Sequence, residues 1–166
     1  MAIAYLALGS NLMQPKQQIK TAFLALETLP QTRVLQRSSL YQTAPVGYAE
    51  NQLASIPDFI NAVACVETTL APEALLEAML QLENNFGRER PYLNAPRVLD
   101  LDLLLYDAIE MQTTSLTLPH PRMHLRGFVM LPLAEIAPDL ILPNGLGVVE
   151  LAAQYQAQGI QKLLGH

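Results

Sequence analysis

The segment Arg97 to Asp107 reads RVLDLDLLLYD. In a strand, residues i and i+2 share a face, so Asp100 and Asp102 project together while Leu99, Leu101 and Leu103 point the other way. A rise of about 3.3 Å per residue separates the two aspartate Cα atoms by roughly 6.5 Å, and unit charges at that distance repel by about 2.5 kcal/mol at an effective dielectric of 20. An open, solvated face absorbs that repulsion, charges set to deter edge pairing explain it differently, and a hard divalent cation between the carboxylates removes it. Spacing alone leaves all three open.

The neighbours carry the complementary charge. Five of the seven arginines (Arg88, Arg90, Arg97, Arg122 and Arg126) lie in one stretch, where Glu89, Asp100, Asp102, Asp107 and Glu110 balance them. The lysines stand apart at Lys16, Lys20 and Lys162. Arginine's planar fork matches phosphate oxygens in pairs, and metal plus arginine is a common clamp on a polyphosphate. Salt bridges from these arginines to Glu89 or Glu83 are the competing reading. His120, between Pro119 and Pro121, cannot sit inside a helix and is held in an extended corner where it can face an anion or solvent.

Other devices are missing. There is no G-x-x-x-x-G-K-[ST], no G-x-G-x-x-G after a strand, no H-E-x-x-H and no C-x-x-C. Gly9-Ser10-Asn11 reads as a turn rather than a phosphate cradle. Neither Ser10 nor Ser38 has a histidine at a hydrolytic spacing, and His120 and His124 lack the companions of a zinc site. The net charge of −5 gives no basic surface for nucleic acid. The one cysteine, Cys65, lies in an apolar run and reads as a packed thiol in a reducing compartment. The opening MAIAYLALGS has no basic leader and is shorter than a bilayer span, so a cytoplasmic protein without a membrane segment is expected.

The elements that must position these groups follow from periodicity. Ala2 to Leu8 reads as a strand, and Pro15 opens a helix with Ile19, Phe23, Leu24 and Leu26 inward, ending at Leu29-Pro30. Thr32 to Thr43 reads as a second strand, followed by a long proline- and glycine-bearing loop. Phe59 to Thr68 reads as a central strand. Pro72 opens a helix with a stripe of Leu75, Leu76, Met79, Leu80 and Phe86. The loop GRERPYLNAPR leads to the acidic strand, about Val98 to Tyr106. A short extended piece, a proline corner, a helix and a last helix near Val148 to Gln158 complete the chain. Its 166 residues suit one domain. The order strand, helix, strand, strand, helix, strand predicts an α+β, ferredoxin-like sandwich, a mainly antiparallel sheet with flanking helices on one face and long active-site loops.

PRVLDLDLLLYD followed by LPHPRMHLRGFVMLPLAEIAPDL resembles the 6-hydroxymethyl-7,8-dihydropterin pyrophosphokinase family of folate biosynthesis. AYLALGSNL, SSLYQTAPVG, PDFINAVACVETTLAPEALL and ENNFGRER resemble that family in the same order, over nearly the whole chain. The resemblance implies transfer of the terminal pyrophosphate of ATP to the pterin's hydroxymethyl group, with attack on the β-phosphorus and release of AMP. It places two Mg²⁺ ions on Asp100 and Asp102, and makes these residues catalytic together with Arg88 and Arg97. It puts Glu83, Arg88, Arg97, His120 and Arg126 at ATP. For the pterin it implies Phe59 and Phe128 as ring partners, Asn61 on the amide edge, and Thr43, Ala44 and Val46 alongside. ATP and the pterin alcohol are the expected partners, without nucleic acid or membrane, and a monomer is expected. Asn94-Ala95 stands where many members carry Trp-Gly, in a loop about one residue shorter, so Tyr92 is the candidate for the covering role. Pro121 stands where some members have a tyrosine.

Overall fold

The computed structural model describes residues 1–10, 14–43, 58–86, 99–156 and 159–163. Its elements are β1 (Ala2–Ser10), α1 (Pro15–Leu26), β2 (Thr32–Arg37), β3 (Leu40–Thr43), β4 (Phe59–Thr68), α2 (Pro72–Phe86), β5 (Asp100–Tyr106), β6 (Met111–Gln112), β7 (Thr117–Leu118), a 3₁₀ turn at Met123–Leu125, α3 (Gly127–Ile136), α4 (Val148–Ala153) and β8 (Gln161–Leu163). The main sheet runs β5-β1-β4-β3-β8, with β2 also paired to β4, and every pairing is antiparallel. Taking β2 and β3 together, the order is fourth, first, third, second, that of a split β-α-β sandwich, so the α+β expectation holds. Phe59–Thr68 is indeed central, flanked by β1 on one side and β2 and β3 on the other.

The helices cover both faces rather than one. Leu6, Leu8, Ala62, Ala64, Leu101 and Leu103 pack with α1 and α2 through Ile19, Phe23, Leu75 and Met79. On the opposite face Ala7, Val63, Cys65 and Leu104 pack with α3 and α4 through Met130, Leu133 and Val148. Both sides of β1 and β4 are apolar, so each needs a covering layer. The inward stripes shift slightly. In α1, Ile19, Ala22, Phe23 and Leu26 are buried at the i, i+3, i+4, i+7 spacing, whereas Leu24 is 67% exposed. In α2, Leu75, Met79 and Leu82 are buried and Leu80 faces out.

The predicted strand Thr32 to Thr43 is two strands. Ser38 Oγ accepts the N–H of Val63 at 2.9 Å, so a side chain replaces a ladder carbonyl. Glu135 of α3 accepts both the N–H of Ser39 (3.0 Å) and its hydroxyl (2.8 Å), drawing the chain out of the ladder. The last helix ends at Ala153, where Gln154 and Tyr155 donate to carbonyls three residues back and tighten the turn. The final segment supplies an edge strand, β8, that the sequence pattern does not announce. Gly9 and Ser10 do not turn: β1 continues through them, paired to Asn61 and Ile60. Among the described residues no helix is long and apolar enough to cross a membrane. Cys65 is buried as expected, and burial pushes its thiol pKa up.

Candidate active site

Strand register assembles the site. Paired residues of antiparallel strands point to the same face, and Tyr41, Asn61, Gly9 and Asp100 form one row across β3, β4, β1 and β5. Val63, Ala7 and Asp102 form the next, and Phe59 pairs with Thr43 beyond. Asn61 and Asp100 therefore stand two strand spacings apart, about 10 Å, with a glycine between them. That glycine has a steric reason: a Cβ at Gly9 would lie 3.0 Å from Asn61 Oδ1. These rows lie on the α3 face of the sheet: α3 and α4 cover Val63 and Ala7, whereas Phe59, Asn61, Gly9, Asp100 and Asp102 line an open cavity beside the start of α3.

Alternation in β5 is as predicted. Leu99, Leu101 and Leu103 are buried in the α1–α2 core, while Asp100 is exposed and the Asp102 side chain is 44% exposed. Between the aspartates, the N–H of Leu101 donates to Glu83 Oε2 at 2.8 Å. Glu83, only 3% exposed, thus ties α2 to the acidic strand. Further along, the register skips Leu104 opposite Tyr5 and Leu6, a bulge in β5. The freed Leu104 carbonyl accepts the N–H of His120 at 2.9 Å, which brings the proline corner beside the acidic strand.

Two cavities meet at the aspartates. The first, about 780 Å³, is lined by Thr43, Phe59, Asn61, Gly9, Leu125, Phe128 and Ile160. The second, about 520 Å³, is lined by Glu83, His120, Pro121 and the hydroxyl-bearing Thr113, Thr114, Ser115 and Thr117 of the β6–β7 hairpin. Asp100, Asp102 and Arg126 line both. Arg126 Nη1 lies 3.6 Å from Asp102 Oδ2, and its guanidinium sits 5.9 Å from the centre of the Phe128 ring. Among the described residues no three acidic, histidine or cysteine side chains converge as a metal cage. Two carboxylates on an open face fit an ion such as Mg²⁺, which keeps several waters and takes substrate oxygens for the rest. In this structure Arg126 is the cation paired with Asp102.

His120 titrates below its ordinary value. Burial disfavours the imidazolium most, Asp102 partly opposes this, and Arg126 and Arg122 add to the lowering. Its Nδ1 accepts the N–H of Arg122 at 3.2 Å, so the neutral ring carries its hydrogen on Nε2. The first cavity has its own unsatisfied donor: Asn61 is 7% exposed, and its Nδ2 has no hydrogen-bond partner among the described residues. A buried donor facing an open cavity is a place for a ligand acceptor.

Of the residues singled out from sequence, Asp100, Asp102, Glu83, His120, Arg126, Thr43, Phe59, Asn61 and Phe128 all line one or both cavities. Arg88, Arg97, Ala44 and Val46, with Arg90, Tyr92, Asn94 and Ala95, lie outside the described residues. Sequence reasoning missed Gly9, Leu125, Ile160 and the hairpin hydroxyls. The polar run TTS at 113–115 marks a turn; Ile160 sends no local signal at all.

Comparison with known proteins agrees with this geometry. The family model described as 7,8-dihydro-6-hydroxymethylpterin-pyrophosphokinase matches residues 5–138. The Pseudomonas aeruginosa protein named 2-amino-4-hydroxy-6-hydroxymethyldihydropteridine pyrophosphokinase is 44% identical over 161 residues, covering 97% of this chain and 96% of that one. The Haemophilus influenzae protein of the same name is 43% identical over 163 residues, covering 98% and 99%. A crystal structure of Plasmodium falciparum HPPK-DHPS with pterin and p-hydroxybenzoate superposes with a TM-score of 0.72 at 17% identity; it covers 95% of this chain, which spans 43% of the larger one. That likeness is one of fold. With the family model spanning most of the sheet, the acidic pair and the lining of both cavities apart from Ile160, the chain belongs to the 7,8-dihydro-6-hydroxymethylpterin-pyrophosphokinase family.

Proposed function

We propose that this chain transfers the terminal pyrophosphate of ATP to the hydroxymethyl group of 6-hydroxymethyl-7,8-dihydropterin, giving the pterin diphosphate and AMP. The observation that carries the reading is the wall of Asp100, Asp102 and Arg126 shared by two unlike cavities. One cavity offers aromatic faces and an unpaired amide donor, suited to a flat heterocycle with a carbonyl on its edge. The other offers hydroxyls and a histidine, suited to a nucleotide. A group passing between substrates held in them crosses the acidic wall.

In this reading Phe59 and Phe128 contact the ring faces, Asn61 Nδ2 donates to the amide edge, and Thr43 flanks the ring with Ala44 and Val46. His120, neutral and with its hydrogen on Nε2, donates to a phosphate oxygen. Arg126 exchanges Asp102 for phosphate as the nucleotide arrives, joining Arg88 and Arg97. Glu83 lies on the nucleotide side and holds the backbone between the aspartates. Asp100 and Asp102 hold two Mg²⁺ ions. The chemistry Mg²⁺ supplies when bound there is neutralisation of the charge that develops on the phosphoryl oxygens. Residues 1–166 act as one domain. In this reading the working unit is a monomer in the cytoplasm, a compartment that the buried thiol of Cys65 suits.

The test is direct. The full chain with ATP, Mg²⁺ and the pterin alcohol is expected to release AMP in step with the pterin diphosphate. ADP as the nucleotide product, phosphate release without the pterin, or no pterin-dependent turnover would each overturn the assignment.

A further inference from the structure

One wall of the first cavity comes from far along the chain. Ile160 lines it together with Phe128 and with residues of β1 and β4. The segment that carries Ile160 is tied down on both sides. Before it, the Tyr155 hydroxyl donates to the carbonyl of His124 at 2.6 Å, two residues from Arg126. After it, β8 pairs with β3 through Gln161, Lys162 and Leu163, and Lys162 Nζ lies 3.7 Å from Glu135 of α3. Close packing at the start of α3 completes the arrangement. A Cβ on Gly127 would come within 2.7 Å of both Ile160 Cδ1 and Tyr155 Cβ, so the helix that presents Phe128 can approach this segment only because residue 127 is glycine.

A branched side chain fixed in this way, lining a cavity for a flat ring, bounds the space that the ring's substituents can occupy. We propose that Ile160 is a specificity-determining residue for the pterin: it limits the bulk tolerated on the ring beside the hydroxymethyl arm. The inference rests on the reading of this cavity as the pterin's. Ile160 is only partly buried, so shortening it alters the cavity more than the core. Ring carbon 7 is the carbon left free once carbon 6 bears the hydroxymethyl group, and it is where added bulk can be placed.

The experiment compares the parent alcohol with analogues bearing methyl or ethyl at carbon 7, measured as AMP formation by the full chain. Ile160→Ala is expected to raise kcat/KM for the ethyl analogue relative to the parent by about tenfold or more, the usual effect of about one methylene in an apolar pocket. Ile160→Phe is expected to move the ratio the other way and to raise KM for the parent while keeping kcat. Ile160→Val, the mildest change, should move it slightly in the direction of Ala. Ratios within twofold of the unaltered chain in all three variants would overturn this inference while leaving the proposed reaction standing. Failure of the unaltered chain to make AMP from the parent would remove the proposed reaction and this inference with it.

Discussion

The two faces of the sheet are made from the same strands yet end differently. On the α1–α2 face, Leu6, Leu8, Leu101 and Leu103 are sealed under two helices of 12 and 15 residues. On the other face, Val63, Cys65 and Leu104 lie under α3 and α4, but at Asn61, Gly9 and Asp100 the helical cover gives way to the first cavity. The closed face gives the acidic strand its rigidity; the open end gives the carboxylates their access. A leucine on one side of β5 and an aspartate on the other are one device.

That contrast can be broken from either side. The largest effect should come from the open face: Asp102→Ala is expected to lower turnover by about a thousandfold, a loss comparable to removing a main electrostatic stabiliser, with little change in thermal midpoint. Parallel assays and melting curves check both halves, and a fall in stability matching the fall in activity would deny the division between faces. On the closed face, Leu101→Ala removes a core side chain 6% exposed, and should cost about 2–5 kcal/mol in urea unfolding, with activity per folded molecule falling far less. Between the faces, Gly9→Ala presses a Cβ onto the Asn61 carboxamide at 3.0 Å. It should raise the pterin KM roughly tenfold and leave the KM for ATP within about twofold, about 1.4 kcal/mol placed on one substrate.

The smallest effect concerns a phenol under α3 and α4. The pKa of Tyr5 is raised from 10.0 to about 12, first by burial and then by Cys65. A raised pKa means the folded chain keeps a proton that the unfolded chain gives up, so this stability is whole below pH 10 and lost as pH climbs from 10 to about 12. Tyr5→Phe is expected to flatten the alkaline fall in stability over that window, read from urea midpoints at each pH. An unchanged slope would show that the hydroxyl plays no part in it.

Much of the site was readable along the chain because the relevant order is local. Period two predicts that Asp100 and Asp102 share a face and that Phe59 and Asn61 do so as well, and both hold. The packing of His120 against Leu104 was not readable, because it depends on a bulge that appears only when β5 meets β1. The break at Ser38–Ser39 depends on Glu135, nearly a hundred residues away. The turn expected at Gly9 gave way to a strand because Asn61 and Asp100 pair on either side of it.

From residue types and spacing alone follow most of the elements, their apolar stripes, the acidic pair with its arginines and histidine, and the family resemblance that joins them. These depend on neighbours a few positions apart, which any reader of the chain can see. Only the folded arrangement decided that helices cover both faces, that Gly9 lies between the amide and the acid, that Glu83 braces the acidic strand, and that Ile160 reaches the first cavity. Each of those depends on strands pairing and helices packing across 50 residues or more, or on one side chain meeting another element's backbone. Contacts of that kind leave no period in the sequence from which to infer them.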